Sequence, residues 1–216
     1  MSFVNQSNLG YSLGMSVDLG LRERKKLKTK RALSDIALSL FVQKGVDATT
    51  VEEICERAEV SRSTFFRYFP TKEAAAFPDE DTRIAVVEQV LREHPAGEPW
   101  NDTIRRSVMT LIDYDLDSRK DFRARIELMN REPALAAHAM KTQAATADRF
   151  TRLLADELGV DAETDFRPRL VVAAAYAAVN SSWNAWLGDE SGRDLRDLVD
   201  EAFDLLDAGL ATALPA

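Results

Sequence analysis

From about Leu21 onward, apolar residues recur at three- and four-residue spacing, and glycine and proline stand between most of the runs. A chain patterned this way buries one stripe per helix, and no segment shows the strict alternation of a half-buried strand. The expected fold is therefore all-α. Leu33, Ile36, Ala37, Leu40 and Phe41 form the first stripe, and Gly45 ends that helix in the left-handed position where glycine is unstrained. Thr49-Thr50-Val51-Glu52-Glu53 offers two overlapping Thr-x-x-Glu capping boxes for a second helix, whose apolar face is Val51, Ile54, Cys55 and Ala58. At the far end Leu195, Leu198, Val199, Ala202, Phe203, Leu206 and Leu210 make the stripe of a helix over Asp194 to Leu210.

Glu59-Val60 reads as a tight turn, and Ser61 can cap a third helix. Within it Phe65 and Phe69, at i and i+4, point inward. Arg62 with Phe66, and Ser63 with Arg67, then fall on outward faces. Pro70 ends this helix and Thr71-Lys72-Glu73 begins another. Three short helices with a tight turn before the third, and arginines displayed on that third helix, describe a helix-turn-helix. The expected division is a flexible tail over 1–20, the helix-turn-helix domain over 21–75, and a helical body over 76–216. Met15 stands as an alternative start.

Composition narrows what such a chain does. Forty-five per cent hydrophobic residues suffice for a sizeable core, and 30% charged residues point to a soluble globular protein. One cysteine excludes an internal disulfide framework, and two histidines leave little for a metal site. No secretory signal or membrane-spanning run is visible, so a reduced, cytoplasmic setting is expected. Catalytic signatures are absent: there is no Gly-rich phosphate loop and no G-x-S-x-G. Neither His94 nor His138 completes an E-x-x-H pair, so a di-iron bundle lacks its ligands. No enzyme activity, metal or cofactor is expected.

The net charge of −8 conceals an asymmetry: residues 21–75 carry +4 and residues 76–216 carry −11. Seven of the ten residues from Arg22 to Arg31 are basic. A local basic cluster of this kind, rather than the whole-chain average, is the footprint of a nucleic-acid contact.

Ala48-Thr49-Thr50-Val51-x-x-Ile54, Ala58-x-Val60-Ser61 and Thr64-Phe65-Phe66-Arg67-Tyr68-Phe69-Pro70-Thr71-Lys72-Glu73-Ala74 closely resemble the DNA-binding domain of the TetR family of transcriptional regulators. The resemblance covers about Lys26 to Ala75. It implies a third helix that enters the major groove of double-stranded DNA. Arg62, Ser63 and Phe66 match positions that contact base edges. Thr50, Thr64, Tyr68 and Lys72 match phosphate-contacting positions, and Arg67 faces outward beside them. Arginine reads guanine bidentately, and phenylalanine suits a thymine methyl. Lys72, at a helix start, stands where backbone N–H groups favour an anion. Pro78 departs from the family, in which the following helix often runs long; a short helix, a kink and a second helix are expected here.

The resemblance further implies a ligand-responsive regulator, most often a repressor. It would dimerise through its last two long helices and so meet a roughly palindromic operator. That role falls on Pro168–Leu187, rich in alanine, and on Asp194–Leu210, with Ala174, Ala178, Leu198 and Phe203 as interface residues. Met140, Phe150, Tyr176, Asn180, Trp183 and Asn184 are the residues for a cavity holding a small apolar or amphipathic effector; the same aromatics serve equally in a plain core. Two alternatives stand beside this reading: a constitutive DNA-binding regulator, and a helical interaction or ligand-binding module whose helix-turn-helix is vestigial.

Overall fold

The computed structural model describes residues 21–118, 122–189 and 191–209, with side chains from residue 25 onward except 117 and 118. The tail over 1–20, the side chains of Arg22 and Arg24, and Leu210 lie outside the described residues. Among those described, every regular element is helical. The chain divides into two compact units, Met1–Pro78 and Asp79–Ala216.

The first unit contains α1 (Leu21–Lys44), α2 (Val51–Arg57) and α3 (Arg62–Tyr68), followed by a single 3-10 turn over Glu73–Ala76. Its core joins Leu33, Ala37, Leu40 and Phe41 of α1 to Ile54, Phe65 and Phe69, all buried, while Ile36 is only half-buried. Helices of seven residues do not persist alone in water. Here their ends are closed by side chains. Thr50, not Thr49, caps α2: its hydroxyl accepts from the Glu53 amide, and the Glu53 carboxylate accepts from the Thr50 amide at 3.1 Å. Thr49 is instead buried, its hydroxyl donating to the Gly45 carbonyl at 2.8 Å. At the other end of α2 the Val60 amide bonds the Cys55 carbonyl, the Glu59 amide bonds the Glu56 carbonyl, and Glu59 sits at φ +53. That is a Schellman closure with glutamate where glycine is the usual occupant.

The segment after Pro70 differs from the expected helix. Thr71 does cap it, accepting from the Ala74 amide at 3.2 Å, but the turn ends after four residues. Phe77, preceding Pro78, leaves helical geometry at φ −126, ψ 63, as a residue before proline is disposed to do. Ala74, Ala75 and Ala76 are buried and the turn packs on α1, so the first unit runs to Pro78, three residues past the expected boundary.

The second unit is a bundle of α4 (Glu80–Arg92), α5 (Trp100–Ser118), α6 (Phe122–Arg131), α7 (Pro133–Leu158), α8 (Arg167–Gly188) and α9 (Leu195–Asp207). Pro133 opens α7 at its first turn, where its missing N–H costs nothing, and Gly159 closes that helix at φ +66. The pairs α4–α5, α8–α9 and α7–α8 make the broadest contacts. Ile112, Leu154, Leu195, Val199 and Phe203 lie at the centre of the core. Helix α8 looks apolar all round in sequence, yet it has two faces. Val172, Ala178, Val179 and Ser182 are buried, whereas Leu170, Ala173, Ala177 and Ser181 are exposed.

Candidate functional site

Helix α3 owes its outward face to Phe65 and Phe69, whose rings lie 5.7 Å apart in the core and fix the rotation of the helix. Ser61 holds its start, accepting from the Thr64 amide at 3.1 Å. Ser63 and Thr64 both share hydrogen bonds with the Ser61 hydroxyl, at 2.9 and 3.0 Å. Arg62, Ser63, Phe66 and Arg67 are exposed; Thr64 and Tyr68 are half-buried beside them. Phe66 leaves 46% of its surface to solvent, an unusual position for so large an apolar ring.

The cations on this face are held, not free-swinging. The Arg62 guanidinium lies 2.7 Å from Glu52 and 5.9 Å from the Phe66 ring centroid. An ion pair this exposed is worth at most about 1 kcal/mol, so an external acceptor displaces Glu52 at little cost. Arg67 stacks over Tyr68 at 5.2 Å, and Lys30 of the basic run lies over Phe69 at 5.8 Å. Lys44 grips Glu53, and that bond together with the Thr50 amide keeps the Glu53 carboxyl below its ordinary range. Cys55 shifts the other way: burial raises its thiol above the usual value, which suits a core residue and not a reactive one.

Lys72 stands apart. Its ammonium donates to the carbonyls of Val46 and Thr49, at 2.7 and 2.8 Å, tying the loop before α2 to the segment after α3. The expected help from a helix N-terminus is missing, because a four-residue 3-10 turn has no appreciable macrodipole. Sequence spacing gave no hint of this clamp or of the Glu52–Arg62 pair, since both join residues brought together only when the short helices pack.

In the second unit an open cleft of about 270 Å³ lies between α6, α7 and α8. Four of the expected cavity residues line it: Met140, Asn180, Trp183 and Asn184. Phe150 does not; it is buried in the core ten residues further along α7. Tyr176 does not either. It packs against the core, where burial pushes its phenol up to about 12. Ile126, Met129, Asn130, Ala136, Ala139 and Gln143 complete the wall. The missed residues carried a signal: 126, 129 and 130, then 136, 139, 140 and 143, then 180, 183 and 184 are each one helical stripe.

Behind the cleft Arg83 bridges to the fully buried Asp115 at 2.9 Å and lies 6.0 Å over the Trp183 ring. Further pairs cross the bundle: Arg105 holds Asp200 and Asp204, Arg149 holds Glu88, and Arg196 holds Asp113. Among the described residues, no group of histidine, cysteine and carboxylates is placed to hold a metal ion, and no helix is long and apolar enough to cross a membrane.

Residues 33–74 match the bacterial regulatory proteins of the tetR family, and residues 98–211 match the MftR C-terminal domain. The chain is 34% identical over 177 residues to the transcriptional regulator TcmR of Streptomyces glaucescens, covering 76% of each chain. It belongs to the TetR family of transcriptional regulators. A second relative, named as the mycofactocin biosynthesis transcriptional regulator MftR of Mycobacterium tuberculosis, is 28% identical over 87% of this chain and 93% of its own. FadR of Thermus thermophilus, a TetR-family repressor solved with lauroyl-CoA, superposes with a TM-score of 0.53 at 26% identity, covering 87% of this chain and 98% of that one. NalD of Pseudomonas aeruginosa shares the fold, with a TM-score of 0.55 at 19% identity over 86% and 97% of the two chains.

This TetR-family chain is thus a DNA-binding transcriptional regulator with an N-terminal helix-turn-helix and a helical C-terminal body. Leu198 and Phe203 are buried in the chain's own core, Ala178 is buried beside them, and Ala174 is half-buried.

Proposed function

We propose that this regulator binds a roughly palindromic operator as a homodimer in the cytoplasm and releases it when a small apolar or amphipathic effector occupies the α6–α8 cleft. The observation that carries the DNA reading is the face of α3. Arg62, Ser63 and Phe66 are displayed together on a helix anchored by two buried phenylalanines. On this reading those three side chains meet base edges, while Thr50, Thr64, Arg67 and Tyr68 hold the sugar-phosphate backbone. Lys72 retains a third N–H for a phosphate while its other two hold the loop.

The dimer face favoured by exposure is Leu170, Ala173, Ala177 and Ser181 of α8, one register round from the alanines named above. Small residues there let another helix approach closely. The FadR complex with lauroyl-CoA supports an effector in the body, since its protein covers nearly the same length.

Selection of bound fragments from random DNA tests the core of this reading. A two-fold symmetric site with half-sites about one helical turn apart is expected. Arg62→Ala then costs about 1–3 kcal/mol and relaxes preference at one base pair per half-site. Failure to enrich any sequence overturns the DNA reading, and a 24.1 kDa species in light scattering overturns the dimer.

A further inference from the structure

We propose that the α6–α8 cleft selects a neutral ligand, a compact molecule with a flat apolar body and a carbonyl-type acceptor, against carboxylates, amines and acyl-CoA thioesters. This rests on the cleft being the effector site and goes on to name the chemistry it takes.

Among the described residues, no lysine, arginine, histidine, aspartate or glutamate lines the cleft. An ion entering such a wall surrenders hydration and gains no opposite charge in return. The cation nearest by ring contact, Arg83 over Trp183, is already matched by the Asp115 carboxylate. The polar part of the wall is instead four carboxamides, Asn130, Gln143, Asn180 and Asn184, each offering both a donor and an acceptor. Among the described residues, none of the four is committed to a hydrogen bond.

Trp183 adds a second, independent observation. Its indole N–H is buried and has no acceptor among the described residues. Indole donates and cannot accept, so its partner has to be an oxygen or nitrogen lone pair. A buried donor left unpaired is a standing cost; a turn of the ring about its side-chain bonds brings the N–H to the cleft that Trp183 lines, where a ligand carbonyl relieves that cost. The apolar part of the wall comes from Ile126, Met129 and Met140. Thioethers are deformable and favour aromatic rings. The volume of about 270 Å³ equals the liquid share of about nine waters, enough for a fused two-ring body.

The test uses four probes on the full chain: 2-naphthamide, 2-naphthoate, 2-naphthylmethylamine and lauroyl-CoA, followed by ligand-observed NMR and calorimetry. The expected result is 2-naphthamide at least tenfold tighter than each of the others. Trp183→Phe keeps a ring and removes the N–H; it should weaken 2-naphthamide about tenfold with no loss of melting temperature. Asn180→Asp exchanges one group for an anion and should turn the preference toward the amine, a readout that stands if the tryptophan variant folds poorly. Equal or tighter binding of 2-naphthoate or lauroyl-CoA overturns the proposal, as does silence from all four probes at millimolar concentration. An unchanged affinity in Trp183→Phe overturns the carbonyl assignment. Should 2-naphthamide bind and leave operator DNA in place, the effector reading fails while the ligand class stands.

Discussion

In the N-terminal unit the two short helices are set by partners a few residues away: Thr50 with Glu53, Ser61 with Thr64, Glu59 with Glu56. In the C-terminal unit the polar contacts that matter join distant stretches. Arg105 reaches Asp200 and Asp204 about a hundred positions on, Arg149 reaches back to Glu88, and Arg83 meets Asp115. Among the described residues, the first unit leaves every charged side chain exposed or half-buried and buries aromatic and aliphatic side chains beneath them. The second takes a charged pair into its interior. Local closure holds both short helices of the first unit with bonds between residues a few positions apart. Long-range pairing ties the helices of the second unit to one another across the bundle.

The contrast breaks most decisively at Asp115. Its carboxylate is fully buried against Arg83, so Asp115→Ala strands a guanidinium and should cost about 3–5 kcal/mol. All three tryptophans, Trp100, Trp183 and Trp186, lie in the second unit, so urea unfolding followed by tryptophan fluorescence reports on it directly. A loss under 1 kcal/mol would mean that the buried pair is not what holds α4 to α5.

Lys72 is a long-range polar clamp within the first unit, and it sharpens the comparison. Lys72→Met keeps the aliphatic stem and removes both bonds to Val46 and Thr49; a loss of about 2 kcal/mol is expected from bonds to a charged donor. Circular dichroism gives the stability. DNA binding should weaken on specific and non-specific sequences alike, and the salt slope should fall by about one per subunit. A stable variant with altered base preference would show Lys72 to be a reader instead of a clamp.

Tyr176 tests the same interior by pH. Its phenol titrates near 12 in the folded chain against an ordinary value near 10, because burial disfavours the phenolate. The folded state therefore binds this proton more tightly, and the associated stability is complete below about pH 10 and lost as pH rises toward 12. Against Tyr176→Phe, the natural chain should lose about 2 kcal/mol more across that window, read by fluorescence. Parallel curves would place the phenol in water.

The smallest effect is expected at Glu59, where glutamate occupies a left-handed position at φ +53. Glu59→Gly should raise stability by about 1 kcal/mol or slightly less, since glycine adopts this geometry without a Cβ penalty but surrenders more chain entropy. Thermal melting by circular dichroism measures it. A loss instead would show that the Glu59 side chain does more than tolerate the turn.

The amino-acid sequence alone determined the all-α class, the helix-turn-helix and the outward face of α3. Each depends on spacing within one helix or across one turn: Phe65 and Phe69 at i and i+4 leave Arg62 and Phe66 no direction but out. It also determined the break at Pro78, a covalent constraint on the residue before it. Tertiary structure decided what depends on rotation about a helix axis. Helix α8 is apolar on nearly every side, so its periodicity could not say that Ala178 faces the core while Ala177 faces water. For the same reason Phe150 and Tyr176 joined the core instead of the cleft, and Asn130 and Gln143 joined the cleft unannounced. Lys72 shows the limit most plainly: its charge and position suggest a phosphate, but two carbonyls from a loop more than twenty residues earlier hold its ammonium. Spacing along a chain records which residues share a helix face; which face meets which neighbour is set only when the helices pack.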